Sequence, residues 1–436
     1  MEYYKSFNAE ALELSKSLPE QQSELYKKHF VPLNLDAFAK TIEEGNEDSN
    51  EEKTLKELSA DLLEKLRINF DIIIGSTTHI VNKKSKYVKI IEINELTEEH
   101  FVGRMYKSNE DKIVAFLHAY SKKVIFIDIP AGEKADLNIL FANTDLPLTT
   151  QVIVTTGNVS VLNLFEWYAS KANEKSVSGV LHEIKIGSYA KAEINFVHNE
   201  NEKTYVLGFS KGRIGDNSKL KLNYIYNGGL ITKVKNEIMA SGYAASSEVI
   251  EMVMGSAEQK FDLNTVISNL EKDTVSDLES KAVLMDSAVC FLKGFANVGE
   301  NAPGSRSFVN ERGILLDKRA YMSSIPGMSI NNSNVKATHS SATAPVEEDL
   351  LFYLMSRGAD EVISKKLLIS GFFSSSIAKM ESPLVKEAAA SLMNEKVNNK
   401  RFGTVPKMDI SSIWFDPKAA QAQDMFAGHY KYREQQ

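Results

Sequence analysis

Four stretches of eight residues decide the fold: GNVSVLNL (157–164), GSYAKAEI (187–194), GDNSKLKL (215–222) and GYAASSEV (242–249). In each, a glycine is followed by a small residue three positions on and an apolar residue seven positions on. The sets are Gly157–Ser160–Leu164, Gly187–Ala190–Ile194, Gly215–Ser218–Leu222 and Gly242–Ala245–Val249. Successive glycines stand 30, 28 and 27 residues apart. Around them run short segments with near-alternating apolar residues, the period of a strand: KKVIFIDIP (122–130), QVIVTT (151–156), LHEIKI (181–186), AEINFVHN (192–199), KTYVLGF (203–209), KLKLNYIY (219–226) and EVIEMVMG (248–255). A repeat of this length made of strands fits the coil of a right-handed parallel β-helix, in which each coil buries its face on the last. The glycine is expected to take a tight corner and the small residue to fit where coils crowd. An antiparallel sandwich, whose strands also recur with turn signals, is the competing arrangement.

Outward from this core the texture changes. Apolar residues at helical spacing run from Phe7 to Ser17, and Pro19 interrupts them. Thr41 to Thr54 (TIEEGNEDSNEEKT) reads as a solvated acidic linker. Leu55, Leu58, Leu62 and Leu66 then form one apolar stripe, and FDIIIGSTTHIV (70–81) turns to β-like composition. The β texture ends near Pro345, which suits a first helical turn, with Glu347, Glu348 and Asp349 placed to favour the helix dipole. That helix is expected to close at Arg357 with Gly358 as cap. Two more follow, over 360–380 and from Pro383 to about Asn398. The chain thus divides into a mainly helical region with an acidic loop (1–108), a β-helix core (109–343) and a C-terminal helical domain (344–436).

The 436 residues carry a formal charge of −7, which argues against a nucleic-acid binder. No apolar stretch has the length of a membrane helix, and MEYYKSFNAEALELSKS lacks the layout of a secretory signal. The single Cys290 excludes an internal disulfide framework or a cysteine-rich cluster site within one chain. A cytoplasmic protein fits these features.

Phosphate-loop, GxSxG, HExxH and CxxC motifs are all missing. The eight histidines (His29, His79, His100, His118, His182, His198, His339 and His429) show no ligand spacing and read as surface or packing residues. His339 differs in context. It lies among small polar residues at the strand-to-helix boundary, where a metal ligand, a general base or an interface residue could be placed. Cys290, in an apolar strand, reads as a buried small hydrophobe, and Arg306, in a Gly–Ser corner, as a backbone tie. Phe352 and Tyr353 widen the apolar stripe of Leu350, Leu351, Leu354 and Met355 beyond one face, which suits a partner-binding surface as well as packing.

Residues 317–373 carry more. Ile325–Pro326, Val335, His339, Phe352–Tyr353–Leu354, Ser356–Arg357–Gly358 and Gly371–Phe372 reproduce the C-terminal core pattern of the SufB/SufD family, which this stretch resembles. Weaker likeness extends upstream through 117–136 and 291–317. The resemblance implies a scaffold subunit for iron–sulfur cluster assembly, with a β-helix between helical ends. Such subunits pair through the β-helix, bind the ABC-type ATPase SufC through C-terminal helices, and assemble clusters at the shared interface. The SufB pattern has a cysteine where this chain has Ala320, and a glutamate after the histidine where this chain has Ser340. LPEQQSELYKKHFVPLNLDAF (18–38) resembles the SufD pattern. All three point to a SufD-like chain. There are departures: a family histidine is Asn269 here, the usual glycine after the family's His is Ser340, and the tail after Asn398, with SSIWFDP (411–417), is long.

The resemblance therefore implies a non-catalytic subunit whose partners are a SufC-like ATPase and either a SufB-like chain or a second copy of itself. It implies no membrane or nucleic-acid partner. His339 is the candidate metal-binding or cluster-assembly residue, and Glu347, Leu351, Tyr353, Arg357 and Phe372 are the candidate ATPase contacts. No cofactor is expected to stay on this chain alone, although a transient cluster at the shared interface is. Two competing classes are a purely structural homodimer and a carbohydrate-active β-helix enzyme. The latter needs carboxylates gathered on one sheet face, and Glu183, Glu193 and Glu248 do not suggest matching repeat positions.

Overall fold

Strands with two buried faces need cover on both sides, and this chain supplies it by stacking inside and by helices outside. The computed structural model describes residues 2–19, 30–44, 50–96, 105–346 and 348–398. The strands from Lys123 to Pro345 pair with one another only in parallel, and partners lie about one coil apart, as in Val161 opposite Lys191 and Lys191 opposite Lys219. Two ten-stranded sheets result, made by alternate strands. This is a parallel β-solenoid of about eight coils, so the sandwich alternative falls. Its interior is a continuous apolar core that includes Leu164, Ile194, Leu222, Val249 and Leu278.

The corner chemistry differs from the expectation in one respect. Positive φ falls not on the repeated glycines but two residues later, on Val159 (62°), Tyr189 (58°), Asn217 (51°) and Ala244 (50°). Those residues donate backbone N–H bonds to the next coil, as Val159 does to Ser188 O (2.9 Å) and Tyr189 to Asp216 O (2.8 Å). The glycines answer a different need. A Cβ on Gly157 would stand 2.4 Å from Ala131 N, and one on Gly242 would stand 2.3 Å from Asp216 N. Successive corners approach too closely there for any side chain. The small residues one position beyond the left-handed corner, Ser160, Ala190, Ser218 and Ala245, are buried as expected.

Helices clothe the outer faces. The stripe Leu55, Leu58, Leu62 and Leu66 of α3 (Glu51–Leu66) packs with Leu140, Phe165 and Trp167 on one sheet. Phe116 and Leu117 of α4 (Lys112–Tyr120), with Phe38 of α2 (Leu35–Glu44), pack with Leu181 and Phe209 on the other. The N-terminal α1 spans Glu2–Ser17. At the far end α5 (Glu348–Ser356), α6 (Glu361–Lys379) and α7 (Pro383–Val397) follow the last strand. Pro345 ends that strand and does not begin the helix. Gly358 does take the cap position, at φ +97°, and Asp360 accepts from Ile363 N (2.7 Å) at the start of α6.

The acidic linker is also corrected in part. Thr41–Glu44 ends α2, and Glu51 is a buried anchor. Its carboxylate accepts from the N–H groups of Ser76 (2.5 Å), Thr77 (3.0 Å) and Thr78 (3.0 Å). Three backbone donors turned on one oxygen pair make a nest for negative charge.

The two ends of the solenoid are unlike. At the start, antiparallel strands His79–Val81 and Val88–Glu92 cover the sheet edges. At the finish, the strands Lys336–Pro345, Tyr321–Ser324 and Gly327–Ile330 have no further partner among the described residues.

Two substitutions separate the corner roles. Val159→Gly frees a branched, exposed residue from left-handed backbone and should raise stability by about 1 kcal/mol. Gly157→Ala forces two coils apart and should lower it by about 2–3 kcal/mol. Urea midpoints, compared at constant m value, read both.

Candidate functional site

Register turns the solenoid interior into columns, with one residue per coil. Leu164, Ile194, Leu222, Val249, Leu278 and Val309 form one such column, all of them apolar and buried. The next residue in that column is His339. It holds an inward position on the last coil, yet it is exposed, with no further coil over it among the described residues. A polar ring replaces the apolar series at the last coil.

The adjacent column is polar in part. From the open end downward it reads Ser341, Glu311, Ser280, Glu251, Tyr224, Phe196 and Glu166. The facing sheet answers with Gly294, Thr265, Asn236, Ser210 and His182 at successive coils. Glu166 meets His182 Nε2 at 3.0 Å and accepts from Tyr168 OH at 2.5 Å. Glu251 accepts from Thr265 Oγ1, from Ser280 Oγ (2.6 Å) and from Asn236 Nδ2 (3.2 Å). Glu311 accepts from Gly294 N (2.5 Å) and from Ser324 Oγ. Ser341 Oγ in turn donates to Ser324 Oγ at 2.7 Å. Burial raises the carboxyl of Glu251 above its usual range. Burial also pushes Glu311 up to about 7; its bonds to Ser324 and Gly294 oppose the rise, and the charge of Glu251 adds to it.

Cys290 is buried between Phe261 and Met322 of neighbouring coils. Burial pushes its thiol up, so it is an inert core residue as expected. Ala320 is buried beside the interior of the last coil. Asn269 donates to Thr274 Oγ1 (3.0 Å) and Arg306 O (3.3 Å), a tie between corners. The Arg306 side chain is exposed.

Of the other histidines, His118 is buried against Ser108 and pushed down to about 3 by burial. His79 lies exposed on an edge strand. His182 and His198 are not merely scattered: both turn inward, and His198 Nδ1 meets Glu200 Oε1 at 3.1 Å. Phe141, Tyr168, His198 and Tyr226 stack in sequence, with centroids 4.9, 4.3 and 5.3 Å apart. Projecting inward positions through the repeat would have found these histidines. His29, His100 and His429 lie outside the described residues, as do Glu347 and the 411–417 motif. Among the described residues no three His, Cys, Asp or Glu side chains gather as a metal site. A metal ion at His339 would therefore need further ligands from beyond this chain's described residues.

The C-terminal helices present a second surface. Phe352 (73% exposed), Tyr353 and Met355 on α5 and Val362, Ile363 and Leu367 on α6 are exposed apolar side chains. The Arg357 guanidinium lies 5.2 Å from the Tyr353 ring centre, and Leu351 is half-buried. Phe372 does not belong to this surface. It is buried toward the solenoid, its carbonyl accepting from Lys281 Nζ at 2.9 Å. Beneath it, Glu279 is tied to Lys281 (3.2 Å) and Lys379. Burial opposes ionisation of Glu279, but the two lysines prevail and hold it at about 2.

The carboxylates of the carbohydrate-enzyme reading behave differently from expectation. Glu193 and Glu248 do share one outward column, with Lys221 between them. Lys221 pairs with Glu248 at 3.1 Å and donates to Lys379 O, and Glu193 accepts from Glu381 N (3.0 Å). Glu183 accepts from Met105 N (3.3 Å). These acids fasten helices and loops to the sheets; they line no open sugar groove.

Residues 140–372, more than half of the chain, match the family described as SUF system FeS cluster assembly, SufBD core domain. The chain is 24% identical to the iron–sulfur cluster assembly protein SufD of Bacillus subtilis, over 91% of this chain and 94% of that protein. It is 23% identical to an iron–sulfur cluster assembly SufBD family protein of Synechocystis, over 81% of this chain and 76% of that protein.

The raised Glu311 carboxyl has a consequence for stability. Its neutral form is favoured in the fold, so its contribution is full below about pH 4.5 and is lost as pH rises through about 7. Glu311→Gln should remove this dependence. Between pH 5 and 8 the natural chain should lose about 2.5 kcal/mol more than the variant, as read by urea denaturation at both pH values.

Proposed function

The chain belongs to the SufBD family of SUF-system iron–sulfur cluster assembly proteins, and from that premise we propose that it is a SufD-like, non-catalytic scaffold subunit. Its open solenoid end forms one wall of a site shared with a SufB-like partner. The observation that carries this reading is His339, an inward-register imidazole on the uncovered last coil. The strand Lys336–Pro345 offers its free edge to a second chain, and edge-to-edge pairing is a recurrent way for sheets to associate. The histidine would then lie between two solenoids. There a neutral imidazole can bind iron or accept a proton while cargo iron and sulfide are assembled.

The exposed apolar side chains of α5 and α6 provide the second half of the proposal, a seat for a SufC-like ATPase. Leu351, Tyr353 and Arg357 remain candidate contacts, joined by Phe352 and Leu367; the buried Phe372 is not one of them. No helix among the described residues is long and apolar enough to cross a membrane.

Three experiments test this reading. Co-expression with SufB-like and SufC-like chains should give one co-eluting complex, whereas stable self-association without ATPase affinity would replace it with the homodimer. In that complex His339→Ala should leave the subunits together and lower iron and sulfide incorporation by about tenfold or more. Undiminished incorporation would remove His339 from the mechanism. Separately, Tyr353→Asp combined with Leu367→Glu should weaken ATPase binding at least about tenfold, measured by calorimetry, with the circular dichroism spectrum unchanged.

A further inference from the structure

A line of hydroxyls connects the open end to the interior. Ser341 Oγ, exposed on the last strand, donates to Ser324 Oγ at 2.7 Å, and Ser324 Oγ donates to Glu311 Oε2. Glu311 is fully buried one coil below Ser341, and its other oxygen accepts from Gly294 N at 2.5 Å. Ser341 lies two residues from His339 on the same strand, so both occupy inward positions at the mouth. We propose that Glu311 is a proton-holding positioning residue for a sulfhydryl-bearing guest at the open end, reached through Ser324 and Ser341. The proposal rests on the reading that this end is the assembly site, and it adds the destination of the guest's proton.

The step balances without any oxidant. The guest S–H bond breaks and its proton binds Ser341 Oγ. The Ser341 proton passes to Ser324 Oγ, and that of Ser324 passes to the Glu311 carboxylate. The guest is left as a thiolate or sulfide and Glu311 as a neutral acid; one negative charge has moved from the interior to the mouth, where it can meet iron. Hydroxyls suit such a chain because each is at once donor and acceptor. A buried carboxyl raised to about 7 and a thiol with an ordinary value near 8.5 are close enough for the proton to move either way.

The surroundings favour Glu311 over its neighbours. Glu251, in the same column, bonds to Thr265, Ser280 and Asn236 and lies two coils deeper. Its charge reinforces the raised value of Glu311. The Cys290 thiol, the other titratable group that interacts with Glu311, is kept neutral by burial. Arg312 points to the opposite face of its strand and donates to Asn310 Oδ1 (3.1 Å), while Ser340 donates to the same oxygen (2.9 Å). Among the described residues, the groups that act on the Glu311 carboxyl are Ser324, Gly294 and Glu251, with no lysine or arginine among them.

The test uses the full chain and, for assembly, the complex with its SufB-like and SufC-like partners. Infrared spectroscopy of the chain alone should show a buried carboxylic acid band that fades as pH is raised through neutrality. Glu311→Gln should lack it. In the complex supplied with iron and sulfide, the natural chain should show cluster formation with an inflection near neutral pH. Glu311→Gln should lose that inflection and form clusters about 10–100-fold more slowly. Ser324→Ala should match that slowing while keeping the infrared band, and Ser324→Thr, which restores a hydroxyl, should recover the rate. An unaltered pH profile in Glu311→Gln, or an unaltered rate in Ser324→Ala, overturns the relay while His339→Ala still abolishes assembly. If His339→Ala assembles normally, the open-end reading fails and the relay falls with it, even if the infrared band titrates.

Discussion

The rest of the structure depends on in-register parallel stacking. Each strand satisfies its backbone N–H and C=O groups with the coil before it and the coil after it, so a middle coil is complete and an end coil is not. The chain treats its two ends differently. Antiparallel strands seal the first, whereas the last ends on Lys336–Pro345 and its facing strands with free edges. That asymmetry gives His339 its meaning. The same residue type in the middle of the column would be a buried imidazole among Leu and Val, costly without a partner. At the open end it is a polar group that solvent can reach.

The solenoid also carries more buried polarity than an apolar core requires. Glu166, Glu251 and Glu311 stand in a single column, and each is met by hydroxyl, amide, imidazole or backbone donors from the facing sheet. Glu251 and Glu311 have both oxygens bonded in this way, whereas Glu166 keeps Oε1 without a partner among the described residues; an unsatisfied buried carboxyl oxygen is costly. Outside, the same logic fastens the C-terminal helices. Glu279 between Lys281 and Lys379 ties α6 to the sheet, and Lys396 of α7, pushed down to about 7 by burial, donates to Gln259 Oε1 at 2.8 Å. The C-terminal half of α6 and α7 are thus fastened to the sheets, while α5 and the start of α6 keep their apolar side chains exposed.

Much of this was legible in the residues themselves. The spacing of glycines, small residues and apolar residues predicted the coil, because a corner where backbones touch admits no Cβ and recurs once per coil. The leucine stripe of α3, the cap at Gly358 and the buried Cys290 also followed from local chemistry. What escaped was whatever depends on register. Val159 and Tyr189 take the left-handed corner although neither residue favours it, since the turn is imposed by coil-to-coil hydrogen bonds. Glu193 and Glu248 fell into one column that no short-range pattern reveals. Phe372 looked like part of an aromatic partner surface, and only the packing of α6 turned it inward.

The sequence by itself determined the repeat, the helical ends and the family whose residues run from Ile325 to Phe372. It marked His339 as unusual but could not say why, because its neighbours in space are about one coil away in the chain. Tertiary structure decided that His339 ends an apolar column, that Glu311 lies beneath Ser341, and that one end of the solenoid is left open. The physical reason is that a strand's local pattern fixes which residues alternate, while the side chain above and below each one is set by how whole coils align.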